Sequence, residues 1–232
     1  MEKIVYLLWG NEMDNSEQLR QCLCDELAPI LVEAGAQKLR VNVVDRAVAP
    51  AQALRIENSK PAFDAVISLW LDTSTRRTRV EHAIEARVAR MAGYLVTESE
   101  PIVNTSQCVS TGERTPGMNE VVLLQKPPRL SYPHWIDLWL NGHTQVAIET
   151  QSTFGYRQNI VVRPLTYLAP PIDAIIEENF PEAAMTDRRA FYDAVDDEAL
   201  YKEREQAMID SCMRFIDFDK IDCIPTSEYN MS

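Results

Sequence analysis

One pattern of apolar runs occurs twice in this sequence, and this repeat constrains the fold more than any other feature. The apolar run 4–9 returns at 121–125, and the alternating run 63–67 returns at 172–176. Each copy fits within about half of the 232 residues, a length that can form a domain of its own. The chain is therefore predicted to contain two similar halves, and each half serves as a control for the other.

Hydrophobic periodicity predicts the same order of elements, βαββαβ, in both halves. The predicted strands are 3–9, 37–45, 63–71 and 94–103 in the first half, and 120–126, 154–164, 172–180 and 220–226 in the second. The predicted helices are 14–33, 76–92, 131–149 and 186–214.

Turn-forming residues at 111–117 separate the two copies. We predict a mainly structural N-terminal half at 1–110 and a C-terminal half at 118–232 that holds a pocket. The order βαββαβ is typical of a ferredoxin-like half, a four-stranded antiparallel sheet with helices on one face. Because the other face of each sheet would be exposed, we expect the halves to pack sheet to sheet as an intrachain α+β barrel.

Composition argues against several classes of protein. The net charge of −12 disfavours nucleic acid and anionic membranes as partners. No apolar run is long enough to span a bilayer and no signal peptide is recognised, so we expect a cytoplasmic protein, either a monomer or a homodimer. The five cysteines lack metal-site spacing, and the seven glycines form no phosphate-binding loop. We predict neither a metal nor a cofactor.

One predicted helix of the second half carries a pocket-like stripe. Trp135, Trp139 and His143 are spaced four residues apart, so they share the face that points at the sheet. The corresponding stripe of the first half is purely aliphatic, with Leu19, Leu23 and Leu27. Core packing is the alternative interpretation for both tryptophans and for the histidine.

The predicted strands of the second half add polar groups to the same face. Tyr156 and Gln158 replace aliphatic residues of the first half, and Glu178 interrupts an apolar row. Gln125, which takes the place of Trp9, is a fifth candidate. Polar groups in such a space must be paired or must serve a ligand, so these residues are the candidate site.

Two further residues are weaker candidates for substrate binding. Glu177 lies on the opposite face of its strand from Glu178 and is the rival carboxylate, with a charge at the sheet interface as the alternative. Asn159 matches Asn42 of the first half, so pairing across the barrel is its alternative role.

Short motifs in the second half carry a family resemblance. They are Gln-Lys-Pro at 125–127, the helix 135–143, Tyr-Arg-Gln-Asn at 156–159, the strand 172–177 and Arg-Phe-Ile-Asp at 214–217. On these residues the second half resembles the EthD-like family of the dimeric α+β barrel superfamily, and the chain resembles a tandem duplication of it. The resemblance implies a role in the breakdown of small organic compounds or in polyketide-type pathways.

The first functional hypothesis is an enzyme without a cofactor that acts on an aromatic or polyketide-like molecule. His143 would be the general acid/base, because its ordinary pKa lies near neutral pH. Glu178 would orient the imidazole, and Tyr156 would hydrogen-bond the substrate beside Gln158. The two tryptophans would stack on the substrate ring. Such proton transfer suits a lyase or isomerase that decarboxylates, dehydrates or cyclises its substrate.

Three alternatives stay open at this point. Relatives in the superfamily make a cofactor-free monooxygenase possible, and a haem with His143 as axial ligand is a weaker option. A non-catalytic accessory or ligand-binding protein of a degradation pathway belongs to a different class. A mononuclear metal site is not predicted, because the pocket offers one histidine and a single carboxylate.

Overall fold

Eight β-strands close into one antiparallel barrel in the computed structural model, which describes residues 1–232. The order of the strands around the barrel is β1-β3-β2-β8-β5-β7-β6-β4. The predicted α+β barrel is therefore confirmed. The strands are β1 Glu2–Trp9, β2 Gln37–Val43, β3 Ala65–Leu71, β4 Arg90–Ile102, β5 Met118–Leu124, β6 Gly155–Pro164, β7 Ala174–Phe180 and β8 Asp222–Asn230.

Two edge-to-edge pairings close the barrel. Strand β2 pairs with β8, and β4 pairs with β6, both in antiparallel register. Strands from the first half of the chain lie in the order β4-β1-β3-β2, and strands from the second half lie in the order β8-β5-β7-β6. Because every strand has two neighbours, the barrel leaves no exposed sheet edge.

Helices cover the outside of the barrel, and the structure has no helix that is long and apolar enough to cross a membrane. The α-helices are α1 Ser16–Gln21, α2 Ala28–Glu33, α3 Thr78–Glu85, α4 Tyr132–Ile136, α5 Thr144–Thr150, α6 Arg188–Phe191 and α7 Glu198–Phe215. Short 3₁₀ segments are Arg46–Leu54, Ser74–Arg76 and Glu182–Met185.

The first helical region of each half contains a π-helical segment. Cys22–Leu27 joins α1 to α2, and Asp137–His143 joins α4 to α5. Such segments are uncommon and often lie at functional sites. The second segment ends at His143, which lines the cavity described below.

The long helix predicted at 186–214 is two helices. Helix α6 ends at Phe191, and α7 begins at Glu198 after a turn in which Asp193 has a φ of 48°. Asp197 caps the new helix because its side chain accepts hydrogen bonds from the backbone N–H groups of Ala199 and Leu200. The apolar periodicity continues across the break, which is why the pattern predicted one helix.

The barrel interior is apolar at one end and ionic at the other. Val5, Leu7 and Val121 belong to its apolar cluster. At the ionic end, the Glu177 carboxylate accepts hydrogen bonds from Lys3 Nζ at 3.0 Å and from Arg157 Nε at 2.9 Å.

Further charges extend this network. Arg157 also pairs with Glu228, and Lys3 also pairs with Glu98 at 2.5 Å. Burial alone would raise the pKa of Glu177, but the charges of Lys3 and Arg157 outweigh burial and lower it. These ion pairs join strands from both halves, so they contribute to the closure of the barrel.

The first prediction concerns the substitution Arg157→Met in the buried network. This substitution leaves Glu177 and Glu228 buried without their shared cation, so the free energy of unfolding should fall by about 3–5 kcal/mol. Urea denaturation at neutral pH measures this change. The control is Lys202→Met, which breaks an exposed pair with Glu198 and should change the free energy of unfolding far less. Equal effects of the two substitutions would contradict the interpretation.

Candidate active site

A cavity of about 300 Å³ lies between the outer face of the second-half sheet and the helices that cover it. The sheet contributes residues of β5, β6, β7 and β8, and helix α7 lies opposite them. Most of the 22 lining residues are apolar, so the few polar groups stand out. Those groups are Glu120, His143, Gln151, Tyr156, Glu178, Arg188 and Tyr192, with the thiols of Cys212 and Cys223.

The predicted helix stripe faces this cavity only in part. Trp139 and His143 line it, whereas Trp135 lies fully buried behind them. Trp135 Nε1 donates a hydrogen bond to the backbone oxygen of Phe215 at 3.1 Å, and its ring lies 5.5 Å from that of Trp139. Trp135 therefore supports Trp139 and is not placed to stack on a ligand.

The imidazole of His143 is held by helix α7. Its Nδ1 atom lies 3.0 Å from the Ser211 hydroxyl, and its ring lies 4.8 Å from that of Phe215. The hydrogen-bond partner is thus Ser211 and not Glu178. Burial lowers the pKa of His143 to about 4, because the cavity wall disfavours the charged form. The imidazole is neutral at neutral pH.

Tyr156 and Gln158 form a connected pair on β6. Gln158 Nε2 donates hydrogen bonds to the Tyr156 hydroxyl at 3.0 Å and to the Thr144 hydroxyl at 2.7 Å. The Ser99 hydroxyl donates to Gln158 Oε1 at 3.0 Å. Tyr156 lines the cavity, while Gln158 lies behind it and fixes its hydroxyl. Burial raises the pKa of Tyr156, so the phenol keeps its proton.

Glu178 lies beside a second carboxyl in the cavity, that of Glu120. The two residues are direct partners in the antiparallel register of β5 and β7, and Tyr156 is the partner of Glu178 on the other side. Cross-strand partners have neighbouring side chains on one face of the sheet. A row of phenol, carboxyl and carboxyl therefore crosses three strands at the cavity floor.

The environment raises the pKa of both carboxyls. Burial, and then the charge of Glu120, raise the pKa of Glu178 to about 8. Burial also raises the pKa of Glu120 to about 7, although the Cys223 thiol and the charge of Arg188 act in the opposite direction. Two neighbouring carboxyls titrate as a coupled pair. At neutral pH this pair retains protons that carboxyls in water would have lost.

The other predicted site residues lie elsewhere. Asn159 and Glu177 point into the barrel interior, where Asn159 Nδ2 donates to the backbone oxygen of Ile175 at 2.9 Å and to Glu177 Oε1 at 3.1 Å. Gln125 follows the last residue of β5, is half-buried and does not line the cavity. The structure thus brings together His143, Tyr156 and Glu178 and separates them from these three residues.

Sequence reasoning missed Glu120, although the repeat contained a signal for it. In the first half, Ile4 of β1 pairs with Leu69 of β3, and both are fully buried among apolar neighbours. Glu178 takes the place of Leu69, and its strand partner Glu120 takes the place of Ile4. Aligning strand partners, and not only apolar runs, would have found the second carboxyl.

The first half also contributes to the cavity, which sequence reasoning did not predict. Ala53, Leu54 and Ile56 line it, and they follow β2 in the first half of the chain. Ile56 forms an antiparallel bridge with Cys223 of β8, through two backbone hydrogen bonds of 2.9 Å each. We call residues 46–58 the strap. No signal in the apolar pattern shows that a loop of one half crosses to the other.

The side chains of the cavity do not form a set of metal ligands. The structure contains no group of three or more histidine, cysteine, aspartate or glutamate side chains that could hold one. A haem with His143 as axial ligand would have to bind through Nε2, because Nδ1 contacts Ser211. That alternative stays a prediction.

Comparison with known proteins identifies the fold. No family model and no curated protein matches the sequence. An anthrone oxidase-like protein matches in structure over 100% of this chain and 93% of that chain, with a TM-score of 0.59 and 8% identity. A mutant chlorite dismutase from Candidatus Nitrospira defluvii, in complex with cyanide, matches over 99% and 91%, with a TM-score of 0.53 and 9% identity. The chain shares the dimeric α+β barrel fold of these proteins.

The carboxyl pair makes a prediction about stability and pH. A carboxyl with a raised pKa favours the folded state at low pH, and that contribution is lost as pH rises from the unfolded value of 4.5 through about 7 to 8. The double substitution Glu120→Gln with Glu178→Gln removes both titrating groups, so the stability of the variant should no longer fall over this pH range. At pH 8.5 the double variant should be more stable than the natural chain by about 1–3 kcal/mol.

Urea denaturation at pH 5.5 and at pH 8.5 measures this difference. The matched control is Glu203→Gln, an exposed residue of α7 outside the cavity, which should leave the pH dependence unchanged. If the double variant loses stability between the two pH values as steeply as the natural chain does, the two pKa values are not raised.

Proposed function

We propose that this protein is a small-molecule enzyme that works without a cofactor by acid–base catalysis in the second-half cavity. The single observation that supports it is the meeting of a neutral imidazole, a phenol and two adjacent carboxyls with raised pKa values in one largely apolar cavity of about 300 Å³. Polar groups are costly in such surroundings, and sites of this composition serve ligands. The proposed substrate class is aromatic or polyketide-like, and the reaction is of the lyase or isomerase type.

The proposed proton donor is Glu178, with Glu120 as its partner. A catalytic acid works best when its pKa lies near the working pH, and the pair meets that condition. Proton loss from one carboxyl is opposed by charge on the other, so the pair readily holds one shared proton.

His143 is the proposed proton acceptor. The Ser211 contact fixes Nδ1, which leaves Nε2 as the nitrogen that serves the substrate. Because its pKa lies near 4, the imidazole is a weak base that accepts a proton only as the carboxyl pair donates one. Tyr156, whose hydroxyl is fixed by Gln158, donates a hydrogen bond to a carbonyl or enolate oxygen of the substrate.

Aromatic side chains support a planar substrate. Trp139, Tyr156, Phe191, Tyr192 and Phe215 all line the cavity. Aromatic rings bury large apolar areas and pack well against other rings. Together they favour ring-containing substrates such as phenolic acids, reduced anthracene ketones or cyclising polyketides.

The evolutionary part of the proposal concerns both halves. We propose that the chain is a tandem duplication of an EthD-like, ferredoxin-like unit, with residues 1–110 as a mainly structural half and 118–232 as the catalytic half. The repeated strand order supports this reading, as does the replacement of the Ile4–Leu69 pair by two carboxyls.

A second candidate is a cofactor-free monooxygenase. The observation that favours it is the aromatic lining around a buried acid–base set, because such a wall would shield a substrate carbanion from water until oxygen reacts. Oxygen consumption during turnover distinguishes the two activities. A third candidate, a ligand-binding protein without catalysis, would bind aromatic molecules and leave them unchanged.

The test is turnover of a panel of hydroxylated aromatic acids and anthrones, followed by mass spectrometry and an oxygen electrode. With an active substrate, Glu178→Gln and His143→Ala should each lower kcat by about 10²-fold or more, if each residue moves a proton. Activity should fall as pH rises through about 8, because the acid form of Glu178 is needed.

The control is again Glu203→Gln, which should keep full activity. Loss of the pH dependence in Glu178→Gln would identify that carboxyl as the acid. An unchanged rate in both cavity variants would reject their assigned roles, and absence of turnover across the panel combined with tight binding would favour the non-catalytic alternative.

A further inference from the structure

The two carboxyls at the cavity floor have no protein cation as a partner. Glu120 is only 5% exposed and Glu178 is half-buried, and neither takes part in an ion pair. The Cys223 thiol lines the cavity near Glu120 and favours its ionised form, but it carries no charge to balance a carboxylate. A buried charged group without a counter-ion is costly, and proteins keep such groups mainly where they act on a ligand.

Arg188 is the one cationic side chain that lines the cavity, and it is engaged elsewhere. Its Nη2 and Nε atoms lie 2.8 Å and 3.2 Å from Oε1 of Glu205. Its guanidinium lies over the ring of Tyr192 at 5.7 Å. Arg188 therefore influences Glu120 from a distance and does not neutralise the pair by contact.

The rest of the molecule provides two internal comparisons. In the barrel interior, the buried carboxylates of Glu177 and Glu228 are paired directly with a cation. On the first-half sheet, the positions that match the two cavity carboxyls hold Ile4 and Leu69. The fold therefore needs no carboxyl at these positions and, elsewhere in the barrel, supplies a cation to buried ones. In the cavity, the counter-ion is missing.

We propose that the ligand supplies this counter-ion: the cavity binds an aromatic molecule that carries a protonated amine, with the amine on Glu120 and Glu178 and the ring against the aromatic wall. Among the aromatic molecules of the proposed function, this inference selects those with an amine over phenolic acids, and it rests on that function only for the claim of turnover. Trp139, Phe191 and Phe215 supply both an apolar contact for the ring and a favourable field for a cation.

The proposal also predicts proton release on binding. A bound ammonium group carries one positive charge and compensates one carboxylate, so the pair loses about one proton when the ligand enters and keeps the shared proton that the proposed catalysis needs. Affinity should rise from pH 6 to pH 8.5 as the free pair ionises. The titratable and charged groups that face the pair across the cavity are His143, Tyr156, Arg188, Tyr192, Cys212 and Cys223. His143 is neutral, and both thiols have raised pKa values, so none of these three carries the compensating charge.

The experiment uses three probes of nearly equal shape and different charge. They are 2-phenylethylamine, 2-phenylethanol and phenylacetate. Quenching of tryptophan fluorescence follows binding, because Trp139 lines the cavity. Isothermal titration calorimetry in phosphate and in Tris measures the protons released. At pH 8 the amine should bind at least about tenfold more tightly than the alcohol, and phenylacetate should bind most weakly.

Variants connect this preference to the two carboxyls. Glu120→Gln and Glu178→Gln should each reduce the preference for the amine several-fold, and the double variant should abolish both the preference and the proton release. These substitutions remove mutual repulsion, so the variants should fold; circular dichroism verifies this. Glu203→Gln should bind all three probes as the natural chain does.

The inference is overturned if the alcohol or phenylacetate binds as tightly as the amine, if the preference survives in the folded double variant, or if none of the probes binds at millimolar concentration. Binding and turnover are measured separately, so the two proposals can fail independently. Selective amine binding without turnover would support this inference and contradict the enzymatic proposal. Turnover of a neutral phenolic substrate without amine selectivity would do the reverse.

Discussion

Antiparallel pairing at two seams, β2 with β8 and β4 with β6, is the constraint on which the rest of this molecule depends. It satisfies the backbone groups that would otherwise form exposed edges, and it fixes which face of every strand points inward. The inward face then accommodates an apolar cluster at one end and the ion pairs around Arg157 and Glu177 at the other. Every outward face is left for helices to cover.

The outward faces of the two halves differ in how tightly helices pack on them. Over the first half, Leu23 and other helical residues pack on a continuous apolar sheet surface that includes Ile4 and Leu69. Over the second half, the matching surface is interrupted by Glu120 and Glu178, and a cavity remains beneath helix α7. The same barrel thus supports a filled core and an open one. The difference lies in a few side chains and not in the backbone order, which is the same on both sides.

Much of this arrangement could be predicted from the sequence, because strand alternation and helical spacing are local properties. The strands, the direction of Trp139 and His143 toward the outer face of the sheet, and the carboxyl at Glu178 all follow from periodicity. The Ser211 contact, the break before α7 and the buried ion pairs depend on tertiary neighbours that a single pattern does not contain. Glu120 needed the strand register, which only pairing reveals.

The strap has a consequence for the two-half organisation. Although residues 46–58 belong to the first half of the chain, Val48 and Ala51 are buried in the apolar cluster of the second half. Ile56 forms an antiparallel β-bridge with β8. The first half of the chain therefore supplies one wall of the cavity. A C-terminal half expressed alone would lack this wall, and its cavity would be open to solvent on that side, so the cavity depends on both halves of the chain.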